Sequence, residues 1–190
     1  MLSTTDAIVL SLQPHSDKAH MLHAYTRAGG RVNYMVYGLG RKHPIGMYSP
    51  LSLIQITANH DSIKPPTIKE ATLLSTFNFQ LSPYNRAIAL FLAEVLYHVL
   101  RHPMPDEPMY EFIRLSVQAL DQSEEPQNFH LAFLVGLAAK LGFEMEEELP
   151  LPHSRKERQE ALQTLCNYFE EHVETWQTPR SLDVLMEVFD

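Results

Sequence analysis

Up to about residue 80 the apolar positions alternate with polar ones in short runs; beyond it they recur every three to four residues. The first pattern predicts strands and the second predicts helices. Asp6–Gln13 reads as a first strand, with Ile8, Leu10 and Leu12 on one face. Pro14–Asp17 is a turn, and His20–Arg27 a second strand. Gly29-Gly30 then signals a hairpin, because glycine tolerates positive φ. Arg31–Tyr37 alternates as a third strand, which puts Tyr34 and Tyr37 on opposite faces. Gly38–Gly46 is a basic loop punctuated by glycine, and Leu51–Ala58 and Thr67–Leu74 read as strands four and five. Five short strands in this span suit a small barrel such as an OB-fold.

The helical period starts at Ser82-Pro83, an N-cap followed by an N1 proline. A first helix runs to about His102, with Ile88, Phe91, Leu92, Val95, Leu96 and Val99 as its apolar stripe. Pro103, Pro105 and Pro108 break it, and a second helix covers roughly Met109–Leu120. A third spans about Gln127–Leu141 and stops at Gly142. The acidic, proline-flanked stretch Glu144–Pro152 reads as a linker. Ser154-Arg-Lys-Glu157 is a capping box for a fourth helix, and Thr178-Pro179 caps a last short helix ending at Phe189. The predicted class is α+β: a five-stranded OB-fold barrel over residues 1–80, then an α-helical domain over 81–190 with a linker at about 144–153.

Charge sharpens this division. Residues 1–80 hold 7 Lys+Arg against 4 Asp+Glu, a balance of +3; residues 81–190 hold 8 against 19, a balance of −11. A basic β-module on an acidic helical body suggests binding rather than chemistry, with the anionic partner on the β-half. No stretch approaches the ~20 apolar residues of a membrane helix. The opening residues lack a signal-peptide pattern, so the expected compartment is the cytoplasm. The single cysteine, Cys166, excludes an internal disulfide and a multi-cysteine zinc site, and its place on an apolar stripe makes it a core residue.

Catalytic motifs are missing. There is no Walker loop, no nucleophile elbow, no zinc-protease helix and no dinucleotide fingerprint. The Gly38–Gly46 loop leads into a strand, so it lacks the helix N-terminus that phosphate loops use. His98 and His102 share a helix face at i, i+4, a spacing that a solvated helix end explains. No catalytic residue, metal ligand or cofactor is expected.

The ordered pieces resemble the bacterial recombination mediator RecO family. The resemblance rests on Ala7-Ile-Val-Leu10, Ser16-Asp-Lys18, Tyr25-Thr-Arg27 with Gly29-Gly30, and the basic loop Gly38-Leu-Gly-Arg-Lys42. It continues through Pro50-Leu-Ser-Leu53, Leu92-Ala-Glu94, Leu141-Gly-Phe143 and the closing segment Ser154–Phe189, and so covers almost the whole chain. Many family members carry an inserted module after the last of these glycine motifs, often with paired zinc-binding cysteines. Here Phe143 leads only into the short acidic linker.

The resemblance implies an OB-fold on a helical domain. It implies binding to single- and double-stranded DNA, to the acidic C-terminal tail of the single-strand-binding protein, and to RecR. It also implies strand annealing and help in loading RecA, without covalent chemistry. The residues placed to track DNA phosphates are Arg27 and Arg31 beside the hairpin and Arg41 and Lys42 in the long loop, with Lys18, Lys64 and Lys69 as weaker additions. Tyr34, Tyr37 and Tyr48 are the nearby aromatics, each also a natural core residue. For the acidic tail the expected pair is Arg101 and Arg114, read as lying on different helices. A protein-interaction adaptor on the same fold, with little DNA affinity, is the rival reading that the −11 helical body supports.

Overall fold

The computed structural model describes residues 1–60, 63–75, 82–143, 145 and 151–188. The pattern break at residue 80, most of the acidic linker and Phe189 lie outside the described residues. Five strands, β1 (Leu2–Ser16), β2 (Ala19–Thr26), β3 (Gly30–Tyr37), β4 (Leu53–Asn59) and β5 (Thr67–Leu73), form a closed barrel in the order β1-β2-β3-β5-β4. Antiparallel pairing links every neighbour except β3 and β5, which meet in parallel at Met35 and Thr67. This is the OB-fold expected from the alternation.

β1 is longer than its apolar pattern because it serves two partners. Leu2–Ile8 pairs with β4, and Ala7–Ser16 pairs with β2. A register shift between Val9 and Ser11 lets one strand turn from one neighbour to the other. The shift also corrects the predicted face. Ala7 and Val9 fill the barrel interior, with Leu12 packed against them, whereas Ile8 and Leu10 are buried outside that core. A strict two-residue period had put Ile8, Leu10 and Leu12 together; one bulged residue inverts the parity beyond it. The rest of the interior is Leu22, Ala24, Tyr34, Val36, Ile54, Ile56, Ala58 and Ile68, with Tyr48 from the 3-10 turn Ile45–Tyr48.

Two compact units emerge. The first joins Met1–Phe77 with Leu100–Leu115; the second joins Asn78–Val99 with Ser116–Asp190. The helices are α1 (Pro83–Val99), α2 (Glu107–Gln122), α3 (Phe129–Leu141), α4 (Arg155–His172) and α5 (Leu182–Val188). α1 stops at Val99 rather than His102. Beyond it the carbonyls of Leu100 and His102 bond to Arg31 instead of continuing the helix, and Pro103 disfavours helical backbone at His102. His102 therefore does not share a helix face with His98. α2 begins at Glu107, before Pro108, because Asp106 Oδ1 caps Met109 N at 2.9 Å and a first-turn proline lacks only a donor that would be spare.

In the helical unit Ser154 Oγ accepts from Glu157 N at 3.2 Å, as the capping box predicts. The Glu157 carboxylate bonds back one residue earlier, to His153 N at 2.8 Å. α5 starts after Ser181, not at Pro179, because Glu94 of α1 takes up the entering backbone. Its carboxylate accepts from Arg180 N and Ser181 N, both at 2.9 Å, and from Ser181 Oγ at 2.6 Å. Burial pulls that carboxyl upward, but the Ser181 and Arg180 hydrogen bonds outweigh it and hold it below the usual range. Trp176 packs on Phe169 of α4 with ring centroids 5.1 Å apart, and Cys166 is buried. No described helix is long and apolar enough to cross a membrane.

Candidate nucleic-acid interface

The five predicted DNA-contacting residues lie at or next to the two ends of the β2–β3 ribbon, and the register divides them. Thr26 pairs with Gly30 at the hairpin end, and Ala19 pairs with Tyr37 at the other. Arg27 and Arg31 therefore sit at the hairpin end. Lys18 adjoins Ala19, and Arg41 and Lys42 follow Tyr37 closely, so these three gather at the far end.

At the far end the loop is built tightly. Gly38 and Gly40 adopt φ of 75° and 82°, conformations that favour glycine. The Gly38 carbonyl accepts from both Arg41 N (3.1 Å) and Lys42 N (2.9 Å), and Gly40 N donates to His43 O at 2.8 Å. His43 is buried beneath, its Nδ1 3.1 Å from Tyr48 Oη, and burial followed by the Lys42 charge pushes its pKa down. The backbone is thus fixed while the charged ends stay in solvent. Lys18, Arg41 and Lys42 are all exposed, and none pairs with a carboxylate among the described residues. The Lys42 stem lies alongside Gly38. Beside them Tyr37 is 49% exposed, whereas Tyr34 is 2% exposed and Tyr48 4%, both inside the barrel. The opposite-face reading of Tyr34 and Tyr37 holds, with Tyr37 the open one.

The hairpin end is different. The segment Leu100–Asp106 runs across it, and Arg31 is 9% exposed. Arg31 N donates to His102 O at 3.1 Å, Nη1 to Leu100 O at 3.3 Å, and Nε to Asn33 Oδ1 at 3.4 Å. Tyr25, paired with Arg31, is 3% exposed, and burial, then Asp106, pushes its hydroxyl up to about 12. Arg27 Nη2 donates to Glu111, and Nη1 lies 3.6 Å from Glu107. The Arg27 guanidinium also lies 4.8 Å over the Tyr110 ring. Both arginines are thus paired within their own unit, Arg31 buried and Arg27 at an open ion pair.

Arg101 and Arg114 do not form the expected pair on two helices. Arg101 lies beyond the end of α1, and its charge helps lower the His23 pKa, after burial and Arg31. Arg114 lies on α2, where Nη2 and Nε donate to Glu111 Oε2 at 2.7 and 2.9 Å. The Arg114 hydrogen bond, and after it the charges of Arg114 and Arg27, hold the Glu111 carboxyl below its usual range despite some burial. Sequence reasoning missed Glu107, Tyr110 and Glu111. Their signal was available: residues 107, 111 and 114 recur at i, i+4 and i+7 on one helix face. It also missed Arg155 and Arg158, which line a small cavity of about 20 Å³ with His130, Leu162, Leu185 and Met186 in the helical unit.

The chain is similar to known proteins along most of its length. Residues 1–77 match the family described as Recombination protein O N terminal, and residues 81–148 match Recombination protein O C terminal. A protein of Porphyromonas gingivalis named DNA repair protein RecO is 37% identical over 150 residues, 75% of this chain and 61% of that protein. One of Bacteroides fragilis with the same name is 34% identical over 151 residues, with the same two coverages. This chain thus spans less than two thirds of the length of these relatives. A third, of Christiangramia forsetii, is 27% identical with both chains fully covered. That alignment runs over 238 positions against 190 residues here, so the relative carries segments that this chain lacks. Matches to both halves of one family, in order, on a closed barrel followed by helices, make this chain a member of the RecO family.

Proposed function

We propose that this protein is a recombination mediator in DNA repair that binds single-stranded DNA, and duplex DNA by the same charges, at the far end of the β2–β3 ribbon. The observation that carries this reading is that Lys18, Arg41 and Lys42, exposed and without carboxylate partners among the described residues, lie next in sequence to the end of the ribbon where Ala19 pairs with the exposed Tyr37. The cations would track phosphates and the ring would stack on a base, as OB surfaces do. Such contacts are independent of sequence and steeply dependent on salt. Strand annealing and RecA loading, in concert with RecR, follow from the family resemblance, and the protein does this work by binding, not by covalent chemistry.

For the acidic tail of the single-strand-binding protein, Arg155 and Arg158 fit better than Arg101 and Arg114. They adjoin Leu162, Leu185 and Met186, so cationic and apolar groups meet in one unit. Titration of a labelled acidic tail peptide should lose affinity with Arg158→Glu and keep it with Arg114→Glu; the reverse result would return the site to α2.

The decisive test is fluorescence anisotropy of labelled single-stranded DNA at low and moderate salt. Arg41→Glu/Lys42→Glu should weaken binding by about 100-fold or more at low salt and flatten the salt dependence by about 1.4 in log–log slope, two phosphates at ~0.7 each. Absence of binding by the wild type, even at low salt, would favour the adaptor reading, which the −11 balance of residues 81–190 supports.

A further inference from the structure

Resting on that reading, a second feature of the barrel unit suggests how strongly the surface holds DNA. The Glu111 carboxylate is shared by two guanidiniums: Oε1 accepts from Arg27 and Oε2 from Arg114. Arg27 also faces Glu107 at 3.6 Å and lies over Tyr110. An anion held between two arginines, one of them stacked on an aromatic face, is the arrangement proteins use for a phosphodiester. The arginines stay accessible, with Arg27 40% and Arg114 29% exposed at their side chains. Ion pairs this open are individually weak and exchange readily. Arg27 also stands on the turn of the same ribbon whose other end carries Lys18, Arg41 and Lys42.

We propose that Arg27 and Arg114 form a latent phosphate site whose resident occupant is the Glu111 carboxylate, so that a bound strand displaces Glu111 to extend its track along the ribbon. Glu111 acts as an internal competitor that limits affinity and site length. Arg31, by contrast, is committed to backbone carbonyls of the crossing segment and takes no part in the exchange.

The test is anisotropy of labelled oligothymidylate on the full chain, across a salt series, with Glu111→Gln. The glutamine preserves shape and removes the competing charge. Binding should tighten about five- to tenfold at low salt, and the log–log salt slope should steepen by about 0.7, one added phosphate contact. Arg27→Ala or Arg114→Ala in the Glu111→Gln background should abolish the gain. Glu70→Gln, the same charge change at an exposed position of β5, should leave the slope unchanged.

Equal gains from Glu111→Gln and Glu70→Gln would overturn the inference, because overall charge would then explain both. So would no gain from Glu111→Gln in a protein whose wild type binds through Arg41 and Lys42, and in that case the proposed function stands. Binding by none of the variants would overturn both. Thermal melting of each variant confirms that the comparison is between folded proteins.

Discussion

The two ends of the β2–β3 ribbon carry the same kinds of residue and use them oppositely. At the hairpin end Arg27 and Arg31 are bound to carboxylates and carbonyls of residues 100–111. At the far end Lys18, Arg41 and Lys42 are exposed, the last two in a loop whose Gly38 and Gly40 take positive φ. The difference comes from what crosses the sheet. A basic side chain under a segment of chain becomes structural, because its donors satisfy carbonyls that water can no longer reach. A basic side chain beyond that segment keeps its hydration and remains available to a phosphate. Charge on an OB surface therefore says little about binding until the covering of that surface is known.

The sharpest test of this contrast is the tyrosine pair on β3. Tyr34→Ala should cost about 3–5 kcal/mol of stability, since a fully buried ring leaves a cavity in the barrel. Tyr37→Ala should change stability by less than about 0.5 kcal/mol yet weaken single-strand binding by about 1–3 kcal/mol, the value of one base stack. Urea melts and anisotropy on the two variants decide the matter; equal stability losses would mean that Tyr37 is a packing residue after all.

Glycine substitutions probe the covering segment next. Gly30 has φ of 61°, and a Cβ there would meet His102 O at 2.8 Å and collide with Met104 O. Gly30→Ala should destabilise by about 3 kcal/mol, from backbone strain and displacement of the crossing segment. Gly46, in the loop at the far end, has nothing within 4 Å of its Cβ position, and Gly46→Ala should be near neutral, within about 0.5 kcal/mol. Thermal denaturation monitored by circular dichroism distinguishes the pair.

A pH series extends the comparison to the helical unit and carries the smallest effect at neutral pH. His130 is 2% exposed, and burial followed by the Arg158 charge pushes its pKa down to about 4. The unfolded chain takes up this proton near the ordinary 6.5, the folded chain only near 4. Its contribution is thus complete above about pH 6.5 and is lost as pH falls through 4, a change on the order of 3 kcal/mol. Glu94, held below the usual carboxylate range, acts in the same sense at lower pH. His23 and His43 in the barrel unit are also lowered, so the contrast is one of degree. Urea midpoints between pH 7 and 4.5 should fall for the wild type, and His130→Gln should flatten that slope. An unchanged slope would place the acid sensitivity elsewhere.

Local pattern was enough to read much of this molecule. Alternation located all five strands, Gly29-Gly30 placed the hairpin, and Ser154 with Glu157 placed a helix start. These features depend on neighbours in sequence, so sequence carries them. The same local reading put Lys18 beside a turn and Arg41 and Lys42 in a glycine-punctuated loop, where all three are exposed, because such residues owe little to distant packing.

Tertiary structure alone decided the rest. One bulged residue in β1 put Leu12 on the face of Ala7 and Val9 instead of that of Ile8 and Leu10. The return of residues 100–115 onto the barrel brought Glu111 and Glu107 to Arg27 and the Leu100 carbonyl to Arg31. The closing of α5 onto Glu94 moved a helix start from Pro179 to Leu182. In each case the deciding partner lies tens of residues away, and which donor meets which acceptor is settled only when burial removes water as the alternative.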